Sequence, residues 1–285
     1  MNITGRMKVR PITILSSLMV FFALAGQSPL RAADNLTAAE VVQKTVARGQ
    51  ENQAIPDFTY RKTTVTDELD SAGKVKEHRE KLYEVSYRDG LSHSTLLQVN
   101  GHPPSPDDLK QQSDNEASMR QITGRNKTKG DNRENFLTAD LAARFDFTLV
   151  GTTNLNGRPA YQVAFQPKSP QLPVRHLVDR LLNQISGTVW IDTQEFEVAR
   201  AEVSLRSEVN LLGGIAGSLK TLTYSLERTR VADGVWFSTL SNGDFLGRKL
   251  LAMTHIKTKS QSVHFHRMAI NGSTRLEEGA AFAER

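Results

Sequence analysis

Apolar side chains recur at helical spacing along residues 37–52, and from residue 58 onward they alternate with a period of two. In the first stretch Val41, Val42, Thr45 and Val46 form one stripe, and Thr37 with Glu40 makes a capping box, which predicts a helix. Pro56 blocks its continuation. Phe58 and Tyr60 then share a face over 58–67. Over 75–87 one face holds Val75, Tyr83, Val85 and Tyr87, and the other holds Lys76, His78, Glu80 and Glu84. Leu91, Leu97 and Val99 share a face over 91–99. These segments read as antiparallel strands with one wet side.

Turn dipeptides recur at Asp89-Gly90, Asn100-Gly101, Asn156-Gly157, Asp233-Gly234, Asn242-Gly243 and Asn271-Gly272. Asn-Gly and Asp-Gly supply the positive φ that tight hairpins need, so an antiparallel meander is predicted. Between residues 100 and 147 the alternation breaks. Ser105-Pro106-Asp107-Asp108 starts a helix, with a cap, a first-turn proline and acids at the positive dipole end. The polar run 111–135 continues it as an exposed helix grading into a loop. A short helix follows over 137–145, with Thr138 as cap and Leu137, Leu141 and Phe145 at spacing four. Strands resume at 146–153 and 159–166. Residues 172–184 form an amphipathic helix with Val174, Leu177, Val178, Leu181 and Leu182 on one side. Further strands are predicted at 188–192, 196–206, 219–231, 235–241, 245–258 and 262–270, with a frayed tail at 273–285. No internal repeat or linker divides the chain. About ten strands with a few short helices make a mostly β, α+β domain. A sheet that large must curl, and wrapping round its helices buries one face.

Charge and the N-terminus change the picture. The 285 residues carry a formal net charge of +5, which at first suggests a polyanion partner. Residues 1–33, however, contain Arg6, Lys8, Arg10 and Arg31 and no acid. The remainder holds 32 basic against 31 acidic residues, so no electrostatic case for nucleic acid is left. The same 33 residues run from a basic start through an apolar core at Ile12–Leu24 to small-residue signals at Ala23-Leu24-Ala25 and Ala32-Ala33. That order predicts a secretory signal peptide cleaved near 25 or 32–33. An apolar core of about 13 residues falls short of the roughly 20 that span a bilayer. The absence of cysteine removes disulfides, thiolate metal sites and cysteine catalysis.

Candidate chemistry is sparse. There is no G-x-S-x-G elbow, no H-E-x-x-H and no S-x-x-K with its partner motifs, which argues for a protein without catalysis. Gly213-Gly214-Ile215-Ala216-Gly217 lacks the Lys-Ser/Thr of a phosphate loop. His264 and His266 lie two apart on a strand, but two ligands do not make a metal site, and a solvated face explains them. No cofactor is expected. Two features sit less easily with ordinary packing. The apolar, glycine-rich stretch 211–217 replaces a polar turn; it is either a bulge or buried crossing, or an apolar flap at a cavity rim. The 172–184 helix is either core or a lid. A concave sheet with an apolar lining and amphipathic covers suits an acyl chain.

Several segments together resemble the LolA superfamily of lipoprotein-sorting carriers and their LppX-like and RseB-like relatives. They are Asp57-Phe58-Thr59-Tyr60, the turn Asp70-Ser71-Ala72-Gly73, and Leu82-Tyr83-Glu84-Val85-Ser86-Tyr87-Arg88. Phe147 to Tyr161, Gly187-Thr188-Val189-Trp190-Ile191-Asp192 with Phe196 to Arg200, and Asp233-Gly234-Val235-Trp236 extend the likeness over roughly 37–260. The resemblance implies an unclosed antiparallel half-barrel over 34–272, helices in its mouth, and an apolar cavity without catalytic residues. It implies a periplasmic carrier for acyl chains of lipids or lipoproteins; the near-neutral charge of the remainder and the export signal argue against a nucleic-acid partner, and a monomer is expected. An RseB-like sensor that docks on a membrane protein is the alternative.

The expected cavity residues are Phe58, Tyr60, Tyr83, Val85, Tyr87, Leu97, Val99, Tyr161, Val163 and Phe165. The expected lid comprises Leu177, Leu181, Leu182, Leu211, Leu212 and Ile215. Carriers of this type hold the lid closed with an arginine ending the second long strand, and Arg88 sits in the matching place. Asp89 follows it where the carriers have proline, and 101–135 is longer than in them, which leaves room for the sensor.

Overall fold

The computed structural model describes residues 36–51, 57–88, 91–123, 136–171, 173–210, 217–249 and 252–268. The leader predicted over 1–33, the tail over 273–285 and the turns at 89–90 and 271–272 lie outside these residues.

Helix α1 (Ala38–Gln50) begins at the predicted capping box: the Glu40 N–H donates to Thr37 Oγ1 at 3.3 Å, and the Thr37 N–H to Glu40 at 2.8 Å. Strands β1 (Phe58–Leu69), β2 (Val75–Arg88) and β3 (Leu91–Val99) follow, then the polar helix α2 (Pro106–Thr123) and α3 (Ala139–Arg144). β4 (Phe145–Leu155) and β5 (Arg158–Pro167) form a hairpin at Asn156 and Gly157, whose φ values are 51° and 83°. After α4 (Leu177–Leu182) come β6 (Ile185–Asp192), β7 (Val198–Leu205), β8 (Val209–Asn210), β9 (Gly217–Ala232), β10 (Val235–Lys249) and β11 (Ala252–Arg267).

These make one antiparallel sheet in the order β3-β2-β1-β11-β10-β9-β7-β6-β5-β4, with β8 paired to β9 beside that path. The first and last strands are neighbours, third and fourth in that order, and β3 and β4 end it without pairing to each other among the described residues. The sheet is an open half-barrel. Direct pairings carry a single row of residues across all ten strands of the path. It runs Val99, Lys81, Thr64, Ser260, Ser241, Leu226, Ala201, Val189, Val163, Leu149. Paired residues share a face, so this row defines the inner side.

At its β4–β7 end the inner face is core. Val41 and Val42 of α1 pack with Val163, Ile191, Val198 and Leu137, all buried. The neighbouring row on the opposite face, His78, Asp67, Lys257, Asp244, Thr223 and Ser204, is polar throughout. The wet side read from the alternation is therefore real.

Two expectations are corrected. Asn242-Gly243 is not a turn: both residues pair regularly with Ser225 and Tyr224 on β9 and with Lys259 and Thr258 on β11. The Phe245 ring and the Thr258 hydroxyl occupy the space a Cβ at Gly243 would take. The 172–184 helix shrinks to six residues, since the Asp179 carboxylate takes the N–H groups of Arg175 and His176 at 2.7 and 2.8 Å and fixes the start at Leu177.

Candidate functional site

Register places most expected cavity residues on the inner face, but in two separate groups. Phe58 pairs with Tyr87, Tyr60 with Val85, and Lys62 with Tyr83, so these alternate residues of β1 and β2 line up side by side. Phe58 and Val85 are buried and Tyr60 and Tyr83 half-buried. The rings of Phe58 and Phe237 lie 5.4 Å apart, Tyr60 and Phe265 4.9 Å, and Phe237 and Phe265 5.4 Å. Val235 is buried with them, and Val231 and Ala232 pack around it. Every described member of this cluster belongs to a strand.

Val163, Tyr161 and Phe165 form the other group. Val163 is fully buried under α1, Tyr161 stacks on Phe196 at 6.3 Å, and Phe165 meets Phe145 at 5.1 Å. They are filled core. On β3 the register slips between Leu82 and Tyr83, so buried Leu96 pairs with Tyr83, and Val99 pairs with Lys81. Leu97 is the half-buried extra residue at that slip. The alternation alone could not reveal the slip.

A polar band adjoins the ring group on the same four strands. Lys81, Thr64, Ser260 and Ser241 are consecutive members of the inner row, and the Thr64 and Ser260 hydroxyls bond at 3.0 Å. Burial, helped by the Arg79 charge, holds the Lys81 amine below its ordinary pKa.

Of the expected lid, Leu181 and Leu182 are half-buried on α4. Leu211, Leu212 and Ile215 lie outside the described residues, as do the side chains of Leu177, Tyr87 and Arg88. Sequence reasoning missed the contact that fixes α4. Asp179, only 4% exposed, accepts from Arg144 Nη2 at 2.6 Å besides its two backbone donors. Burial pushes its carboxyl up, but those N–H groups and the Arg144 charge outweigh it and hold the pKa below the usual range. Arg144 ends α3, so the pair ties α4 to the covered half.

On the opposite face lies a trough of about 600 Å³ whose side chains include Asp67, Glu202, Asp244, Lys257 and Lys259. Among the described residues no group of three or more His, Asp or Glu could hold a metal ion, and no helix is long and apolar enough to cross a membrane.

An open antiparallel sheet with α1 and α3 packed on one side defines the half-barrel class. No family model matches the sequence, and no curated protein matches it. Among solved structures the chain is similar to a DUF1329 family protein from Desulfovibrio piger, at 13% identity and TM-score 0.35, over 83% of this chain and 95% of that one. It is similar to a LolA superfamily protein from Nitrosomonas europaea at 11% identity and TM-score 0.34, over 83% and 96%. It is also similar to the Pseudomonas aeruginosa MucA/MucB complex at 9% identity and TM-score 0.23, over 81% and 99%. Superpositions this loose transfer no residue, ligand or partner.

Proposed function

We propose that the protein is an exported, non-catalytic carrier that binds acyl chains of lipids or lipoproteins on the inner face of the half-barrel. On this reading residues 1–33 direct export to the periplasm and are removed, and 34–272 form the binding domain. The observation that carries it is the ring cluster of Phe58, Tyr60, Phe237 and Phe265, built from strands alone while α1 and α3 pack over the other half of the face. The half-buried rings of Tyr60, Tyr83 and Phe265, backed by buried Phe58, Phe237 and Val85, offer an acyl chain an apolar wall, and each buried CH₂ contributes about 0.8 kcal/mol. The polar band at Lys81, Thr64, Ser260 and Ser241 bounds that wall, so the bound stretch is short.

Titrating the mature protein with fatty acids of increasing length tests this. Affinity should rise by roughly threefold to fourfold per CH₂ and then stop rising once the wall is covered. Tyr60→Ala should weaken the longest chain about tenfold. Equal affinity for short and long chains would sink the proposal.

A second reading, a sensor docking on a membrane protein, finds support in α2. This 18-residue helix presents mostly exposed polar residues and meets β2 and β3 through polar contacts: Arg79 to Asp108 at 3.0 Å and Gln112 to the Ser94 carbonyl at 3.5 Å. A helix with so little apolar surface is held on the fold weakly enough to serve a partner.

A further inference from the structure

A cavity of about 390 Å³ beside the Asn156-Gly157 turn is lined by Arg158, Arg200, Arg228 and Arg230, with Trp236 as an apolar wall. Four guanidinium groups in one small cavity would repel one another unless acids or a ligand balanced them. The lining holds two carboxylates, Asp192 and Glu227, and Glu195, Glu197, Glu202 and Asp233 pair with the same guanidiniums, so the cavity offers a ligand unpartnered N–H groups rather than surplus charge. Asp192 is committed: 1% exposed, it takes Arg158 Nε and Nη2 at 2.7 and 2.9 Å and the N–H groups of Gln194 and Glu195. Glu227 comes no nearer to Arg200 Nη1 than 3.8 Å, outside hydrogen-bond range.

The arginines are fixed, and three of them, Arg158, Arg200 and Arg230, are not used up. Arg228 is buried, with bonds to Glu197 and to the carbonyls of Val198 and Trp236. Arg230 gives Nε to Glu195 and Nη2 to Asp233, both at 2.6 Å, and Arg200 gives Nη2 to Glu202. The Nη1 groups of Arg158 and Arg230 have no hydrogen-bond partner among the described residues, and neither does the buried Nε of Arg200. Two of the guanidiniums lie over indole rings, Arg158 over Trp236 at 5.6 Å and Arg200 over Trp190 at 5.1 Å. Stacking fixes a guanidinium without occupying its donors.

We propose that this cavity binds the oxyanion of a small carboxylate or phosphate ligand. Several preset guanidinium edges match planar and tetrahedral oxyanions, which bond arginine more strongly than neutral acceptors do. The volume suits a small molecule rather than a polymer.

Trp190 and Trp236 are the chain's two tryptophans and both lie against these arginines, so intrinsic fluorescence reports on the site. The mature protein would be titrated with inorganic phosphate, succinate and glycerol 3-phosphate, each against sodium chloride at equal ionic strength. A saturable change in emission with at least one oxyanion and none with chloride is expected. Arg200→Gln should weaken the binding roughly tenfold or more, and Glu227→Gln should tighten it about threefold. Tighter binding of glycerol 3-phosphate than of phosphate would assign the site to a lipid headgroup, the reverse to a free anion; both support the proposal. Should Arg200→Gln fail to fold, Arg158→Lys, which keeps the charge but loses the fork, must show the same weakening. Flat titrations with all three oxyanions, a response equal to that in chloride, or unchanged affinity in the folded variants would overturn it.

Discussion

The two halves of the inner face are one surface in topology and two in use. Over β4–β7 the apolar residues meet α1: Val41, Val163 and Ile191 are fully buried against one another. Over β1, β2, β10 and β11 the apolar residues are rings that meet other rings, and the polar band of Lys81, Thr64, Ser260 and Ser241 runs beside them. The difference has a geometric cause. A helix of 13 residues is roughly 20 Å long. Strands about 4.8 Å apart mean that, even lying across them, it covers about four. Its first helix therefore leaves more than half of a ten-strand path uncovered. The rest must use polar residues, ring packing or a guest.

Substitutions on the two sides should separate stability from binding. The largest effect is expected from Ile191→Ala, which opens a hole under α1. A buried isoleucine truncated to alanine costs about 2–5 kcal/mol, read as a lower urea midpoint with unchanged slope. Fatty-acid affinity, measured on the folded protein, should not change. If it falls as far as in Tyr60→Ala, the division into filled and open halves is wrong.

Asp179→Asn should cost about 2–3 kcal/mol by leaving the Arg144 guanidinium, itself 14% exposed, without its carboxylate. The sign of its pH dependence follows from the lowered pKa of Asp179. A carboxyl whose pKa is depressed by folding adds stability above its unfolded value of about 4, and that contribution is lost as pH falls through the folded value. The gap between wild type and variant in thermal midpoint should therefore be full at neutral pH and close in acid. A gap that stays constant down to pH 2 would mean the carboxylate is not what holds α4.

What could be read from the chain follows the range of the interactions. α1, the strands from Phe58 to Val99 and the Asn156-Gly157 hairpin rest on neighbours a few residues apart, and capping, alternation and positive φ announce them. Asn242-Gly243 carries the same local signal as Asn156-Gly157, yet pairing on both sides by β9 and β11 keeps it extended. Two hydrogen-bonded neighbours outweigh a turn propensity. Alternation likewise finds which residues share a face, as it does for Phe58, Tyr60, Tyr83 and Val85. It cannot tell that α1 fills the space above Val163, or that a slip on β3 brings Leu96 opposite Tyr83. The arginine cavity joins residues of β5, β7 and β9, with Arg158 and Arg230 72 positions apart, and no local signal encodes that.

The smallest expected effect tests the covered half at its edge. Thr37 satisfies the exposed N–H of Glu40, while its own N–H and hydroxyl donate to the Glu40 carboxylate at 2.8 Å. Those donors hold the Glu40 pKa below its ordinary value. Thr37→Ala removes the cap and should cost about 1 kcal/mol. The loss should appear as faster amide exchange in the first turn of α1, above Val163, and not along β1 or β2. Tyr60 and Phe237 lie in a separate cluster containing no residue of α1, and α1 touches its border through Arg48 at the far end of the helix, whose Nη2 donates to the Gly234 carbonyl at 3.2 Å, so fraying of the first turn should leave their packing in place. If exchange instead quickens around Phe58 and Tyr60, α1 supports both halves, and a bound acyl chain would then have to displace helix rather than settle on a standing wall.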